Sequence, residues 1–340
     1  MKTIALVTDA WHPQINGVVR VFDNIIPHLE AHGYRIEIIH PGLFSTLPLP
    51  TYPEIKLAIL PARKTSRLLS DIAPDAIHIA TEGPLGWAAR RFCSRAAMPF
   101  TTSYHTQLHE YAALRARPLA QLVHRLVRQF HHASAAVMAG SPGLREHLHN
   151  RKFQNLTLWP LGVDTTRFVP RTSEATLYPR PVFGYVGRIA VEKNVEEFLQ
   201  LYLPGTKLVI GDGPDRPRLQ RRYNNEAIFV GYKMGDALVE TLQNVDVLVF
   251  PSRTDTFGLV LLEAMACGIP VAAHDVLGPR DIVTQGVDGF LDDDLARAAQ
   301  CCLTLSGAAC RATAERYSRE RSAEAFLRNL RFSDRLKEIK

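Results

Sequence analysis

Short apolar runs alternate with stretches of helical period along almost the whole chain. TIALVTD is the first run, stopped by Thr8 and Asp9. VVRVFDNIIPHLEAHG follows, with apolar residues every three or four positions up to Gly33. A glycine there suits a helix C-terminus, and Pro27 inside the run predicts a kink. YRIEIIHP, KLAIL, DAIHIAT, PFTTSYHT and SAAVMAG read as further strands, with helical patterns between most of them. The second half repeats the scheme. PVFGYVG, TKLVIGDG, AIFVGY, DVLVFPS and IPVAAHD read as strands; VEEFLQLY, DRPRLQRRY, ALVETLQNV and FGLVLLEAMACG read as helices. Apolar strands alternating with helices predict α/β architecture, with parallel sheets covered on both faces.

One stretch breaks this rhythm. LWPLGVDTTRFVPRTSEATLYPRP, 158–181, carries four prolines and no long apolar period. It reads as a connection between two doubly wound domains. The expected organisation is a domain over 1–165, a linker over 166–180, a second domain over 181–318 and a charged amphipathic helix over 319–340 that packs back on the first. Two such domains face a cleft, and ligands of doubly wound sheets bind beyond the carboxyl ends of the strands.

Composition adds little until the charge is divided. The 340 residues are 46% hydrophobic and 22% charged, ordinary for a globular protein. Residues 1–164 hold 17 Lys and Arg against 11 Asp and Glu, and the remainder holds 23 of each. The whole net charge of +6 therefore lies in the first part, with twelve of the 13 histidines. Such a bias suits an anionic partner: a membrane surface, a phosphate-bearing substrate or a nucleic acid. No basic stripe interleaved with aromatics is present, which argues against nucleic acid. The N-terminal apolar run is too short for a signal peptide or a membrane span. Five cysteines without metal-ligand spacing suit reduced thiols in a cytoplasmic protein.

The loops after the strands hold the candidate chemistry. Gly17 precedes the first helix, where exposed amides suit an anion, and the stretch is not a GxGxxG dinucleotide fingerprint. Arg188 lies just past a strand end and Lys193 five residues on; two cations so placed suit a diphosphate. GDGP (211–214) and GYK (231–233) mark two more strand ends with glycine. PSRTDTFGLVLLEAMACGIPV (251–271) puts Asp255 before a helix that is apolar nearly all round, and Glu263 within it. Asp255 is either an N-cap or a ligand-binding acid. Glu263 either pairs with a core Arg or Lys or accepts hydrogen bonds from a bound polyol, because an unpaired buried carboxylate costs several kcal/mol.

These residues resemble the GT4 family of retaining GT-B glycosyltransferases, which includes mannosyl-, glucosyl- and sulfoquinovosyltransferases. The resemblance spans nearly the whole chain through INGV (15–18), YHT (104–106), PLGVDTTRF (160–168), GRIAVEKN (187–194), GDGP and PSRTDTFGLVLLEAMACGIPV. The family writes the last motif with two glutamates; this chain has Asp at the first. The resemblance implies a GT-B fold of two Rossmann-like domains and a nucleoside-diphosphate sugar donor, UDP-sugar favoured over GDP-mannose. It implies that Asp255 grips the donor sugar and Glu263 the ribose. Arg188, Lys193 and the amides of Phe257, Gly258 and Leu259 hold the diphosphate. His105 lies beside the anomeric carbon. Asn16, Gly17, Gly187, Gly211, Gly231 and Tyr232 complete the donor site. No metal or other cofactor is implied; DDD (292–294) matches DxD but follows the last clear strand.

Within the family, NGVVR, EGPLGW (82–87) and SYHTQLHEYA (103–112) are most similar to enzymes acting on diacylglycerol or related lipids. That implies a lipid acceptor and a protein attached peripherally to the inner face of the cell membrane. Tyr104, His109 and Tyr111 are acceptor candidates. PLAQLVHRLVRQFHH (118–132) carries an apolar stripe at Leu119, Leu122, Val123, Leu126, Val127 and Phe130. Arg115, Arg117, Arg125 and Arg128 are its candidate contacts with anionic lipid. The alternatives are a different acceptor, polysaccharide or soluble, and a non-catalytic sugar-nucleotide-binding protein.

Overall fold

The structure, a computed structural model, describes residues 1–14, 16–49, 52–105, 117–172, 177–334 and 336. It divides into two compact units, Met1–Leu161 with Arg319–Lys340, and Gly162–Ser318.

The first unit is built on a six-stranded parallel sheet. Its strands are β1 (Lys2–Val7), β2 (Tyr34–Ile39), β5 (Ala76–Ile79), β6 (Thr101–Tyr104), β7 (Ala136–Ala139) and β8 (Leu156–Leu158), in the order β2-β1-β5-β6-β7-β8. The central strands β5, β6 and β7 are buried at every residue, as strands covered by helices on both faces must be. Ala5, Val7, Ile77, Ile79, Leu85 and Phe130 centre one core layer. A short antiparallel pair, β3 (Thr46–Leu49) and β4 (Tyr52–Ala58), stands apart from the main sheet. Only KLAIL of this pair was legible as a strand, because Pro48 interrupts the alternation of its partner.

The C-terminal helix Arg319–Asn329 belongs to this unit and packs on the helix Gly17–Ala31, with His28 Nε2 2.9 Å from Glu320 Oε1. Its continuous helical run ends at Asn329. Phe332 bridges to Ala76 and stacks near Tyr34, and Ser333 N–H donates to Asp75 O at 2.8 Å. Those contacts draw the chain out of helical register after Asn329. The helix Gly17–Ala31 runs continuously through Pro27.

The second unit repeats the plan. Its strands are β9 (Val182–Val186), β10 (Thr206–Ile210), β11 (Ile228–Gly231), β12 (Val247–Phe250), β13 (Val271–Ala273) and β14 (Gly289–Leu291), in the order β11-β10-β9-β12-β13-β14. All its strand pairs are parallel. Phe183, Tyr185, Phe198, Val209, Val247 and Val249 centre the core on one face. Residues of 166–180 are tied to this unit by ion pairs: Arg167 to Asp236, and Arg171 and Arg180 to Asp246.

Candidate functional site

In the second sheet, β10 and β11 lie on one side of β9, and β12, β13 and β14 on the other. The loops leaving β9 and β12 therefore diverge, and a crevice opens between them at the carboxyl edge. The first loop supplies Arg188 and Lys193, and the second supplies Asp255, Phe257 and Gly258. The strand order places Lys193 against Asp255.

The buried helix after β12 spans Leu259–Ala266, and every residue of it is buried. It starts later than the sequence pattern indicated, because Gly258 sits at φ 89, a left-handed conformation that ends the preceding turn. Glu263 is thus about one turn inside the helix rather than two, and 3% exposed. Its N-cap is Gly258, which has no side chain to cap the first amides, so the positive end of the helix dipole faces the crevice. The other end is capped by Arg311, whose Nη1 donates to Ala266 O at 2.8 Å and to Phe168 O at 2.6 Å. Arg311 has no counterpart among the sequence candidates; a cation near a helix C-terminus is the general signal for it.

Asp255 lies in the turn before this helix. Its Oδ1 is ion-paired with Lys193 Nζ. Its Oδ2 is buried and has no hydrogen-bond partner among the described residues. The N-cap position is held by Gly258 and not by Asp255. Gly278, unremarked in the sequence, packs beneath this turn: a Cβ there would stand 3.0 Å from Asp255 O and 3.1 Å from Phe257 O.

The glycines at the neighbouring strand ends allow close packing of loops. Gly211 has φ +152, and a Cβ on it would stand 1.8 Å from Gly187 O. Gly187 N–H donates to Ile210 O at 3.0 Å, and Ile189 N–H to Asp212 O at 2.9 Å. The missing side chains let the GDGP loop lie against the loop of Arg188, which holds that loop in place. Gly231 faces Arg216, whose guanidinium is 3.4 Å from a Cβ built there, and Tyr232 beside it is exposed. The acidic triplet is internally engaged: Asp292 pairs with Arg297, and Asp294 caps the helix Leu295–Cys302. Among the described residues, no group of three or more His, Cys, Asp or Glu is arranged to hold a metal ion.

In the first unit the comparable crevice lies between the loops after β1 and β5, and it is filled. Asp9 accepts hydrogen bonds from Leu85 N–H (2.8 Å), Gly86 N–H (3.2 Å) and Thr81 Oγ1 (2.9 Å). The carboxylate sits on the N-terminus of the helix Pro84–Ala96. Burial pushes its pKa up to about 6, against the opposing pull of those donors. Asn16 is likewise engaged, since its Oδ1 caps the helix Gly17–Ala31 by accepting from Val18 and Val19 N–H. A Cβ on Gly17 would meet nothing within 4 Å.

His105 follows β6. Its Nε2 lies 2.8 Å from Ser103 Oγ, and its ring meets Phe22 and Trp159 edge-on. Burial and nearby His131 hold its pKa down to about 4, so the ring is neutral at physiological pH. Tyr104, an acceptor candidate, is buried against His131 and Phe153. Strand alternation turns it inward.

On the helix Arg117–His132 the apolar stripe is split. Val127 and Phe130 are buried, whereas Leu122 is 55% and Leu126 46% exposed. Arg125 and Arg128 are exposed beside them. His131 turns inward to Glu82, 3.1 Å from Oε1. His109, Tyr111 and Arg115 lie outside the described residues, as does the side chain of Arg117. No described helix is long and apolar enough to cross a membrane.

Residues 15–167 match the family model for Glycosyltransferase Family 4, and residues 171–299 the model for glycosyl transferases group 1. Anabaena Alr3699/HepE, in a crystal structure with UDP and glucose, superposes with a TM-score of 0.71 at 16% identity, over 95% of this chain and 98% of that one. Two Rossmann-like parallel-sheet units of this kind define the class: a glycosyltransferase with the GT-B fold. A GDP-mannose-dependent alpha-mannosyltransferase of Mycobacterium tuberculosis (strain CDC 1551 / Oshkosh) is 30% identical over 314 residues, 85% of this chain and 83% of its own. An alpha-monoglucosyldiacylglycerol synthase of Streptococcus pneumoniae (strain ATCC BAA-255 / R6) is 25% identical, over 87% of this chain and 77% of its own. The chain belongs to glycosyltransferase family 4.

Proposed function

We propose that this enzyme transfers a hexosyl unit, with retention, from a UDP-sugar to a lipid hydroxyl such as that of diacylglycerol, while attached to an anionic membrane surface. One observation carries the donor half of this reading: a fully buried helix with no side-chain cap begins beside the Lys193–Asp255 pair at the crevice of the second unit. A helix N-terminus with a cation held beside it attracts a diphosphate. In the first unit the comparable helix end already holds Asp9.

The chemistry follows from charge. The bond from the anomeric carbon to the diphosphate oxygen breaks as negative charge grows on the leaving group. Arg188, Lys193 and the helix amides stabilise that charge. The sugar becomes oxocarbenium-like. The acceptor hydroxyl bonds to the anomeric carbon from the leaving-group face, and its proton passes to a phosphate oxygen of the departing diphosphate. Asp255 orients the sugar, Glu263 the ribose, and neutral His105 serves as a hydrogen-bonding rather than a charged group.

The lipid half rests on the exposed Leu122 and Leu126 flanked by Arg125 and Arg128, and on the similarity to a diacylglycerol glucosyltransferase. A second reading of the donor, GDP-mannose, is favoured by the similarity to the mannosyltransferase. A panel of UDP-glucose, UDP-galactose, UDP-glucuronate and GDP-mannose, each with and without diacylglycerol vesicles, decides both halves through the nucleoside diphosphate released. Release from a UDP-sugar that depends on diacylglycerol is expected. Release from GDP-mannose alone replaces the donor, and release unaffected by the lipid sinks the acceptor.

A further inference from the structure

A buried hydrogen-bond chain runs behind His105. β5 and β6 pair with His78 opposite Thr101, so the side chains of His78, Thr101 and Ser103 share one face of the sheet. His78 Nδ1 lies 2.9 Å from Thr101 Oγ1, and its Nε2 lies 3.0 Å from Ser103 Oγ. Ser103 Oγ in turn lies 2.8 Å from His105 Nε2. His78 is 0% and Ser103 1% exposed. Phe22, Trp159 and Phe326 surround the two rings: His78 meets Phe326 at 4.9 Å and Phe22 at 5.7 Å, and His105 meets Trp159 at 5.8 Å. These aromatics come from three different segments, the helix Gly17–Ala31, the turn after β8 and the C-terminal helix.

The hydroxyl of Ser103 carries one proton, and its partners among the described residues are two histidine nitrogens. If both nitrogens donated to it, that proton would be buried with no acceptor, at a cost of about 1–3 kcal/mol. If neither donated, one nitrogen lone pair would go unmatched. The serine therefore donates to one ring and accepts from the other. A neutral imidazole has one N–H and one bare nitrogen. When Ser103 donates to His105, His105 carries its proton on Nδ1 and His78 on Nε2. When it donates to His78, both assignments reverse.

We propose that Ser103 and His78 are positioning residues for the transfer reaction: they hold His78 and His105 in opposite tautomers, so that the proton position on His105 is coupled to that on His78. The aromatic surroundings support this, because burial keeps both rings neutral and shuts His78 and Ser103 off from bulk water, while His105 is half-buried. The proposal rests on the role of His105 in transfer, but its central claim is readable without turnover.

Long-range proton–nitrogen correlation spectra of the ¹⁵N-labelled protein, with each ring assigned through its His→Gln variant, report the tautomer of each histidine. Opposite tautomers for His78 and His105 are expected at neutral pH; the same tautomer in both overturns the proposal. In Ser103→Ala the His105 ring should lose its single tautomer, with kcat lowered about tenfold, the effect of one hydrogen bond, and the donor KM changed less than twofold. Ser103→Thr keeps the hydroxyl and should restore kcat to within about threefold. Wild-type kcat in Ser103→Ala, or a Ser103→Thr enzyme as slow as Ser103→Ala, overturns it. If Ser103→Ala fails to fold, the wild-type tautomers alone decide. Failure of the transferase reading is distinguishable, since the wild type would then release no nucleoside diphosphate from any donor.

Discussion

Asp255 is one methylene shorter than the glutamate that its family writes there, and its Oδ1 is held by Lys193 while Oδ2 is buried without a hydrogen-bond partner among the described residues. A carboxylate so placed gains most from accepting a sugar hydroxyl. Asp255→Asn removes both the charge that holds Lys193 and one acceptor oxygen; kcat/KM should fall on the order of a hundredfold, as expected for lost charged hydrogen bonds. Asp255→Glu keeps the charge and should stay within about tenfold of wild type. Nucleoside diphosphate release checks both, and an Asp255→Asn enzyme at wild-type rate removes this residue from the mechanism. His105 and Asp9 pull stability in opposite directions with pH. His105 binds its proton near 6.5 when unfolded and near 4 when folded, so its contribution is complete above 6.5 and is lost as pH falls toward 4. Asp9 titrates near 3.8 when unfolded and near 6 when folded, so its buried charge is a cost above 6 that is relieved on acidification. Each difference corresponds to about 3 kcal/mol. Denaturant unfolding of His105→Gln between pH 6.5 and 4 should therefore show a smaller acid loss than wild type; an identical loss would put the pKa of His105 back in its ordinary range.

The C-terminal helix Arg319–Asn329 is the element whose importance its composition hides. Its amphipathic pattern predicts packing on the first domain, and the structure shows how: Phe326 is buried against His78, Trp159 and Phe22. Trp159 Nε1–H also donates to Ser322 O at 3.0 Å. Phe326→Ala should cost about 3–5 kcal/mol, the usual range for a buried phenylalanine, measured as a shift in the urea midpoint at unchanged slope. A loss under about 1 kcal/mol would mean that the aromatic enclosure is not a packed core. The helix Leu259–Ala266 shows the opposite case, because its apolar run announced its burial, whereas only the strand order could put its uncapped end at a crevice.

At the scale of the whole molecule the informative quantity is the division of charge, with the entire +6 in residues 1–164. Arg125 and Arg128 beside Leu122 and Leu126 give that charge a place to act. Each cation near an anionic bilayer contributes about 1 kcal/mol, and salt screens it. The protein should sediment with vesicles containing phosphatidylglycerol at low salt and release at about 0.5 M salt. The double variant Arg125→Glu, Arg128→Glu should reduce the bound fraction at least tenfold. Binding to neutral and anionic vesicles alike would show that charge does not direct attachment.

The alternation of apolar strands and helices was enough to determine two parallel-sheet units, because the two periods, 2 and 3.6, are local properties of the chain. The spacing within 251–271 likewise marked Asp255 and Glu263 from the cost of burying an acid among apolar residues. What only the tertiary structure decided depends on residues far apart in sequence. The order of strands makes the loops after β9 and β12 diverge and lets Lys193 reach Asp255. Gly211 closes against Gly187, Asp9 fills the first crevice, and Ser103 stands between two histidines 25 and two positions away. Hydrogen-bond partners of that kind are chosen by folding, since sheet register brings them within 3 Å while nothing in their local sequence distinguishes them from ordinary strand residues.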